Sequence, residues 1–253
     1  MRPIFVTSKG RPGAPTLKLL TEEGIPFSVL VEPQDEKRYE AALGGNKNIV
    51  VLLQNDRGLS YARQFALGFA REKREGWYWM LDDDILNFYE TRQKKTVVIS
   101  VAEAFRRAEE YVAASIGIIA LEYRRYAWNA RPRQVSRNSY CDVAVLINAS
   151  TSANYRPARY LKVDRDFTLQ VLSAGRDTLR LRDVSFSVPA NGSNKGGLFD
   201  TYATGIEERE LRDFAAHWPG IVTFHKKPNG RPHTKIDWQI FQEATRCLSP
   251  TSR

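Results

Sequence analysis

Hydrophobic and polar positions alternate along the chain in blocks, and the blocks predict strands and helices in turn. In the first 90 residues, short apolar runs are followed by polar or amphipathic stretches. The runs occupy residues 3–7, 26–32, 48–53 and 77–81, and the helices between them are expected to end near residue 23 and to cover about 34–43 and 59–74. This alternation predicts an α/β fold, in which a parallel or mixed sheet carries helices on its faces.

The second part of the chain predicts further strands and helices in a less regular order. A hairpin is expected around KKTVVIS, and strands are expected in IGIIALEY, YCDVAVLI and IVTFH. The stretch TLRLRDVSFSVP alternates with a period of two and predicts a half-exposed strand, whereas the residues after IVTFH indicate a basic tail. Helices are expected at 102–114, in DFTLQVLSAG, which ends at the helix-stopping Gly175, and at 205–218.

Composition adds a strong positive charge to this picture. The 253 residues include 42% hydrophobic residues, enough for a substantial core, and carry a formal net charge of +9. The charge favours a polyanionic partner, nucleic acid before an anionic membrane, although solubility alone would also account for it. Cys141 and Cys247 suggest no disulfide framework, and no apolar stretch reaches the length of a signal sequence or membrane span, so we expect an intracellular, soluble protein.

The fourth apolar run, WYWML, ends directly in Asp82, Asp83 and Asp84. Three adjacent carboxylates repel one another and lose hydration beside a buried strand unless a positive charge lies among them. A divalent cation is the simplest partner, and oxygen ligands favour Mg²⁺ or Mn²⁺. The alternative is that the aspartates cap a helix or lie in a turn.

Polar residues also follow the other three predicted strands. In open α/β sheets, ligands bind at the carboxyl ends of the strands. Hydroxyls, guanidinium groups and carboxylates at one such edge would suit a nucleotide diphosphate bridged by a metal. The residues expected at this edge are Thr7, Ser8, Arg11, Glu32, Asn55, Arg57 and the three aspartates.

The same stretches carry a resemblance to a known family. The order of segments in the first part of the chain resembles the GT-A fold of nucleotide-sugar glycosyltransferases. That order is a strand followed by TSKGRPG, a second strand that ends in VEP, a third strand followed by GLSYARQFALGFA, and a fourth strand that ends in DDD. Within that Rossmann-like fold the chain resembles the TET-associated glycosyltransferases, relatives of the base J glucosyltransferase. The resemblance implies a single domain, 1–253, in which residues 1–86 bind the nucleotide sugar and 87–253 bind the acceptor. It also implies a UDP-sugar donor, Mn²⁺ or Mg²⁺, a hydroxymethylated pyrimidine in DNA as acceptor, and no obligate protein partner; a bacteriophage source would suit the family.

The resemblance assigns the donor and metal ligands. Asp82 and Asp84 match the outer aspartates of the DxD motif that holds the metal, Asp83 would serve the donor ribose or sugar, and His225 resembles the late histidine that completes the metal site, with His233 as a competing ligand. The donor-binding residues implied are Thr7, Ser8, Arg11, Glu32, Arg57, Arg63, Asp82, Asp83 and Lys226. The alternative to a donor-binding role is that Arg63 is an exposed arginine on a helix and that Glu32 is a turn residue at the end of a strand.

The stretch KVDRDFTLQVL is similar to the helix start that carries the catalytic base, a carboxylate, of inverting GT-A enzymes. The resemblance implies that Asp164 accepts the proton of the acceptor hydroxyl and that Asp166 is the following acidic position. Val163 stands where glutamate is usual, which leaves the choice between Asp164 and Asp166 open. A helix N-cap is the structural alternative for either aspartate.

The segment 121–140, LEYRRYAWNARPRQVSRNSY, combines five arginines with interleaved aromatic residues. Guanidinium groups bind phosphates, and aromatic rings stack on bases with about 1–3 kcal/mol each, as a flipped base requires. The acceptor residues expected are Arg124, Arg125, Trp128, Arg131, Arg133 and, in the glycine-rich loop NGSNKGG, Lys195. A solvated basic loop is the alternative.

Other functions left open for the protein are transfer to a glycan, lipid or protein, nucleotidyl transfer, and a non-catalytic DNA-binding module.

Overall fold

The computed structural model describes residues 1–44, 48–157, 161–189, 206–241 and 243. The α-helices are α1 (Pro15–Glu22), α2 (Glu36–Ala42), α3 (Leu59–Glu72), α4 (Val101–Glu109), α5 (Val163–Ser173) and α6 (Ile206–His217). The strands are β1 (Ile4–Thr7), β2 (Ser28–Val31), β3 (Ile49–Val51), β4 (Trp77–Asp82), β5 (Asn87–Arg92), β6 (Lys95–Ile99), β7 (Ile116–Tyr123), β8 (Val135–Arg137), β9 (Ala144–Asn148), β10 (Asp177–Ser187), β11 (Val222–Lys226) and β12 (Pro232–Ile236).

Within the described ranges, ten strands form one mixed sheet in the order β3-β2-β1-β4-β9-β7-β10-β5-β6, with β8 paired to β10. Strands β1 to β4 are parallel, and β9 is antiparallel to both β4 and β7. Strand β7 therefore runs in the same direction as β4, and β10 is parallel to β7. The carboxyl ends of β1, β2, β3, β4, β7 and β10 consequently lie along one edge of the sheet, and the predicted α/β fold is confirmed.

Apolar side chains are buried on both faces of this sheet. On one face, β4 contributes Trp77, Trp79 and Leu81 to a cluster that includes α1 and α4; Trp79 stacks on Phe105 of α4 with ring centroids 3.8 Å apart. On the other face, Tyr78 and Met80 pack in a cluster with α3 and α5. Burial on both faces explains why β4 is a continuous apolar run rather than an alternating one.

Helix α5 packs unusually close to β7. A Cβ atom at Gly117 would lie only 2.3 Å from the side-chain atom Cγ1 of Val171, so glycine is needed at this contact. The helix begins after Lys162, which has a left-handed backbone with φ of 58°, and it ends before Gly175, with φ of 78°. The close contact with β7 therefore anchors the second half of α5 to the sheet.

Strand β10 differs from the half-exposed strand that its alternation predicts. Leu179 and Leu181 pack on the α4 face, but Thr178 and Arg180 on the opposite face are also buried. The segment before β9 covers that polar face: the Thr178 hydroxyl donates to the carbonyl of Ser139 at 2.9 Å. Residues 182–184 have no partner on β7, because Leu181 pairs with Leu121 and Ser185 with Glu122, and this bulge bends the strand at the edge.

Strands β8 and β12 were not predicted from the sequence. Strand β8 lies within the basic stretch, and β12 lies within the predicted basic tail, where it pairs with β11 in an antiparallel hairpin. The hairpin packs with α6 in a separate apolar cluster that contains Phe214, Val222 and Phe241. Helix α4 also ends at Glu109, earlier than expected. Among the described residues, no helix has the length and apolarity required to cross a membrane.

Candidate active site

The three aspartates at the end of β4 enter different surroundings. Asp82 is the last residue of the strand and keeps 29% of its side chain exposed, whereas the Asp83 side chain is 2% exposed. Asp83 and Asp84 form a turn rather than the start of a helix, so of the two structural alternatives the helix cap is excluded and the turn is what the structure shows for these two residues. Of the three aspartates, Asp82 and Asp84 are the ones partly open to a ligand.

Asp83 joins the end of β4 to the loop after β1. Its carboxylate accepts hydrogen bonds from the Ser8 hydroxyl and from Nη2 of Arg11, both at 2.5 Å. The Ser8 oxygen also lies 2.7 Å from the Tyr39 hydroxyl, which accepts a bond from the backbone N–H of Arg11 at 3.0 Å. Burial raises the pKa of Asp83 to about 7 and that of Tyr39 to about 12. Asp83 thus fixes the conformation of the β1 loop, with Thr7 buried at its base.

Glu32 connects the loops that follow β1, β2 and β3. Its carboxylate lies 3.0 Å from Nζ of Lys9, 2.6 Å from Nε2 of Gln34 and 3.0 Å from the backbone nitrogen of Asp56. Burial alone would lower the pKa of Lys9, but hydrogen bonds to Asp56 and Glu32 outweigh it and raise that pKa. Arg57 is exposed beside this network. The predicted donor residues of the first three strands therefore share one edge.

Arg63 lies at the centre of the site. Its side chain is 1% exposed, and Nη2 lies 2.5 Å from Oδ1 of Asp82. Nη1 of the same guanidinium donates to Oδ1 of Asp164, in the first turn of α5. The exposed-arginine alternative for Arg63 is therefore wrong. The end of β4 and the start of α5 are joined by one buried cation.

The two aspartates of α5 have different environments. Asp166 is 1% exposed, and its carboxylate accepts bonds from Arg156 at 2.5 Å, the Trp218 indole at 2.8 Å and Gln170 at 2.9 Å. The Asp164 side chain remains 19% exposed. The N-cap position is Lys162, so neither aspartate is the N-cap that the structural alternative required.

Asp82 and Asp84 are the residues that fit a divalent cation. Burial, and then the negative charge of Asp82, raises the pKa of Asp84 to about 6. Two crowded oxygen donors of this kind fit Mg²⁺ or Mn²⁺, whose other ligands are usually water and phosphate. Among the described residues, however, no three His, Cys, Asp or Glu side chains are grouped closely enough to hold a metal.

The structure does not bring the late basic segment to these aspartates. His225 lies on β11 opposite His233 on β12, with ring centroids 5.0 Å apart, and Lys226 pairs with Glu208 of α6 at 2.9 Å. The pKa of His233 is lowered, first by burial and then by nearby positive charge. The hairpin packs with α6 and with Leu169 and Leu172 of α5, and among the described residues His225 belongs to no group of three possible metal ligands.

The predicted acceptor residues have different surroundings in the structure. The Arg124 guanidinium stacks on Tyr89 at 4.3 Å, and that of Arg125 stacks on Tyr123 and Tyr126 at 4.9 and 4.8 Å. In contrast, the Arg133 guanidinium lies 3.8 Å from the carboxylate of Glu110, the residue that follows α4. Trp128 is 62% exposed and Arg131 is exposed. Lys195 lies outside the described residues.

A cavity of about 580 Å³ adjoins the first turn of α5 and contains residues that the sequence interpretation missed. Its basic lining includes Arg125, Lys162, Arg165, Arg180 and Arg182. Only Arg125 had been predicted. The signal available in the sequence was the pair of basic residues that flank Asp164 and the two arginines that alternate in β10.

Comparison with known proteins gives one family match. The model described as TET-Associated Glycosyltransferase matches residues 2–197. No curated protein matches the chain.

Solved structures are similar only at low sequence identity. The inositol-1-phosphate CTP transferase from T. maritima is 8% identical, with a TM-score of 0.45 over 80% of this chain and 95% of that chain. GalNAc-T7 with UDP, GalNAc and Mn²⁺ is 9% identical, with a TM-score of 0.44 over 87% of this chain and 51% of that chain. Apo UDP-glucose pyrophosphorylase is 8% identical, with a TM-score of 0.44 over 83% and 99%.

Proposed function

The chain belongs to the TET-associated glycosyltransferase family, and from this premise we propose that it transfers a hexose from a UDP-sugar to the hydroxyl of 5-hydroxymethylated pyrimidines in DNA. The target base would be 5-hydroxymethylcytosine or 5-hydroxymethyluracil. The observation that carries the proposal is the contact of one guanidinium, that of Arg63, with both Asp82 and Asp164. This contact brings the donor-side acid and the acceptor-side acid to one point of the sheet edge.

The donor would lie across the loops after β1, β2 and β3. Ser8 and Arg11, fixed by Asp83, and Glu32, fixed by Lys9, frame a polar surface at the carboxyl ends of these strands. Parallel strands direct ligands to this edge. Thr7 would support the loop from below, and the exposed Arg57 would meet the phosphates or the base. Lys226 is paired with Glu208 and has no part in the proposal.

Asp82 and Asp84 would hold Mn²⁺ or Mg²⁺. A divalent ion bound there would neutralise the charge of the diphosphate leaving group. Arg63 would add a second positive charge beside Asp82 and keep that carboxylate oriented. His225 is not part of the proposed set, because among the described residues it belongs to no group of three possible metal ligands.

Asp164, rather than Asp166, would be the catalytic base. All three neighbours of Asp166 donate hydrogen bonds to its buried carboxylate, so it is engaged in holding Arg156 and Trp218. Asp164 is partly open, lies in the first turn of a helix and is oriented by Arg63. The acceptor oxygen would attack the anomeric carbon as the bond from that carbon to the diphosphate breaks. The hydroxyl proton would pass to Asp164, with inversion at the sugar.

The test of this proposal is incubation with a set of UDP-hexoses, Mn²⁺, and duplex or single-stranded DNA that contains either hydroxymethylated base. We expect UDP release together with nucleosides whose mass increases by one hexose. The same DNA with unmodified pyrimidines is the matched control. Release of UDP with no sugar on any of these DNAs would refute the DNA acceptor and favour a glycan, lipid or protein.

A further inference from the structure

We propose that the cavity beside α5 binds a backbone phosphate of the DNA acceptor next to the target nucleotide, and thereby holds that nucleotide against Asp164. The identity of the ligand as DNA rests on the proposed function. The anion site itself rests on the charge, burial and position of the residues that line the cavity.

The lining has an excess of positive charge. Among the described residues that line it, five are basic and two, Glu122 and Asp142, are acidic. Glu122 lies 3.2 Å from Nε of Arg180 and 3.1 Å from Nε of Arg182, so two guanidinium groups share one carboxylate. Asp142 pairs with Arg165 at 2.9 Å. The acids therefore leave positive charge unbalanced, and an anion in the cavity would compensate it.

Arg180 is the strongest indication of a ligand. The residue is 7% exposed, and its buried Nη1 has no hydrogen-bond partner among the described residues. A buried charged donor without an acceptor is costly, and such groups in folded proteins usually meet a ligand, an ion or water. A phosphate oxygen is a strong acceptor for guanidinium groups. Strand β10 places Arg180 next to Leu181, which pairs with Leu121 beside Glu122 on β7.

Tyr140 holds two of the guanidinium groups in place. The central carbon of Arg165 lies 3.7 Å from the centroid of the ring, and that of Arg180 lies 3.9 Å from it. Both guanidinium groups are thus within cation–π distance of the same ring. Stacking fixes the orientation of both guanidinium planes before any ligand arrives, which lowers the entropy lost on binding.

The place of the cavity indicates the acceptor rather than the donor as the source of the phosphate. The loops proposed for the donor follow β1 to β3, whereas the cavity lies at β7 and β10, on the other side of β4 in the sheet order. Asp82 and Asp164 lie between the two. Lys162 and Arg165 flank Asp164 in sequence, so a phosphate in the cavity would be a near neighbour of the base.

The size of the cavity also fits more than an isolated ion. About 580 Å³ lies within the usual range of pockets for small organic ligands. The rings of Tyr123 and Tyr126, which contact Arg125, also line it and offer planar surfaces for part of a nucleoside.

The experiment compares Arg180→Gln with Arg106→Gln, which removes the same charge from an exposed position on α4, on the opposite face of the sheet. The substrate is a hydroxymethylated oligonucleotide in which one linkage is a neutral methylphosphonate, placed either next to the target nucleotide or several linkages away. In the wild type, we expect the adjacent neutral linkage to raise the KM for DNA about tenfold, the expected effect of losing a charged hydrogen bond. Arg180→Gln should raise the KM for DNA by a similar factor and lose sensitivity to the neutral linkage, while its KM for the UDP-sugar stays unchanged. Arg106→Gln should have the same KM for DNA and the same sensitivity to the neutral linkage as the wild type.

Other outcomes separate this inference from the proposed function. If Arg180→Gln raises the KM for the UDP-sugar instead, the cavity serves the donor and the inference is overturned. If the wild type modifies no DNA, the proposed function fails, and the anion site is tested by thermal unfolding with inorganic phosphate in place of DNA. Stabilisation by phosphate of the wild type and Arg106→Gln, but not of Arg180→Gln, supports the anion site. Equal stabilisation of all three, or none, overturns the site. Arg165→Gln, at a less buried position, repeats the comparison if Arg180→Gln does not fold.

Discussion

Arg63 and Asp164 are 101 positions apart in the sequence, and their side chains form an ion pair at the centre of the site. The same guanidinium also contacts Asp82, so its planar fork sets the relative position of a residue on β4 and a residue on α5.

Arg63→Lys is therefore expected to damage catalysis although it keeps the charge. A lysine ammonium is a single point and cannot bridge two carboxylates with the geometry of a guanidinium. Loosening of Asp164 should lower kcat/KM about 100-fold, as small displacements of catalytic groups do. UDP release with DNA acceptor measures this effect. Arg71→Lys is the matched control on the same helix, because the hydrogen bonds of Arg71 to described residues go to backbone carbonyls and to Asn154. An equal loss in both variants would contradict the proposal.

Asp164→Asn and Asp166→Asn are expected to fail in different ways. Asn at 164 cannot accept the proton, so kcat should fall by about 100-fold or more, while Arg63 keeps the carboxylate of Asp82 as its ion-pair partner. Asn at 166 leaves Arg156 beside a neutral group, so the free energy of unfolding should fall by about 3 kcal/mol, near the low end for a broken buried ion pair.

Rate assays at a temperature where both variants are folded, together with denaturant unfolding, separate the two effects. A rate for Asp164→Asn within a few-fold of wild type would show that the base is another residue.

Chelation with EDTA should abolish sugar transfer, and Mn²⁺ should restore it in the wild type but not in Asp84→Asn. We expect this result because Asp82 and Asp84, whose carboxylates lie close together at the end of β4, are the proposed ligands of the ion. Titration of Mn²⁺ against the initial rate provides the measurement. His225→Ala is expected to respond to Mn²⁺ like the wild type, because its hairpin packs with α6. Loss of Mn²⁺ activation in His225→Ala would restore the histidine to the metal site.

Gly117→Ala is expected to lower the free energy of unfolding by about 1–3 kcal/mol, the usual cost of overpacking. The new methyl would meet Val171 on α5. Since α5 carries Asp164, the shift of the helix should also lower kcat. Gly68→Ala, on α3, is the control, because a Cβ there meets nothing within 4 Å. The double variant Gly117→Ala, Val171→Ala should recover part of both losses; no loss in the single variant would mean that the helix moves freely.

Local patterns were sufficient to predict the first four strands and the edge of the sheet at which they end. The continuous apolar run before Asp82 is a signature of a strand covered on both faces, and the polar residues after each strand follow directly in the sequence. Family resemblance added the roles of those residues, and the family itself is confirmed over residues 2–197.

The contacts that complete the site depend on tertiary structure. The alternation of Arg180 and Arg182 with leucines predicts a solvated face, but the segment around Ser139 and Tyr140 covers it. The partners of Arg63 could not be predicted for the same reason, since they come from β4 and α5. Strand β12 was missed because PHTKI is short and polar, and its pairing with β11 alone makes it a strand.

The position of β4 between β1 and β9 affects how the protein can be divided. The first 86 residues hold the loops proposed to bind the donor, but a fragment cut there would lose β9 and leave one side of an apolar strand with unpaired backbone N–H and C=O groups. Such an edge associates with other chains, so the fragment should precipitate rather than bind UDP. Constructing a minimal donor-binding unit would require residues 144–148 to be grafted back beside β4.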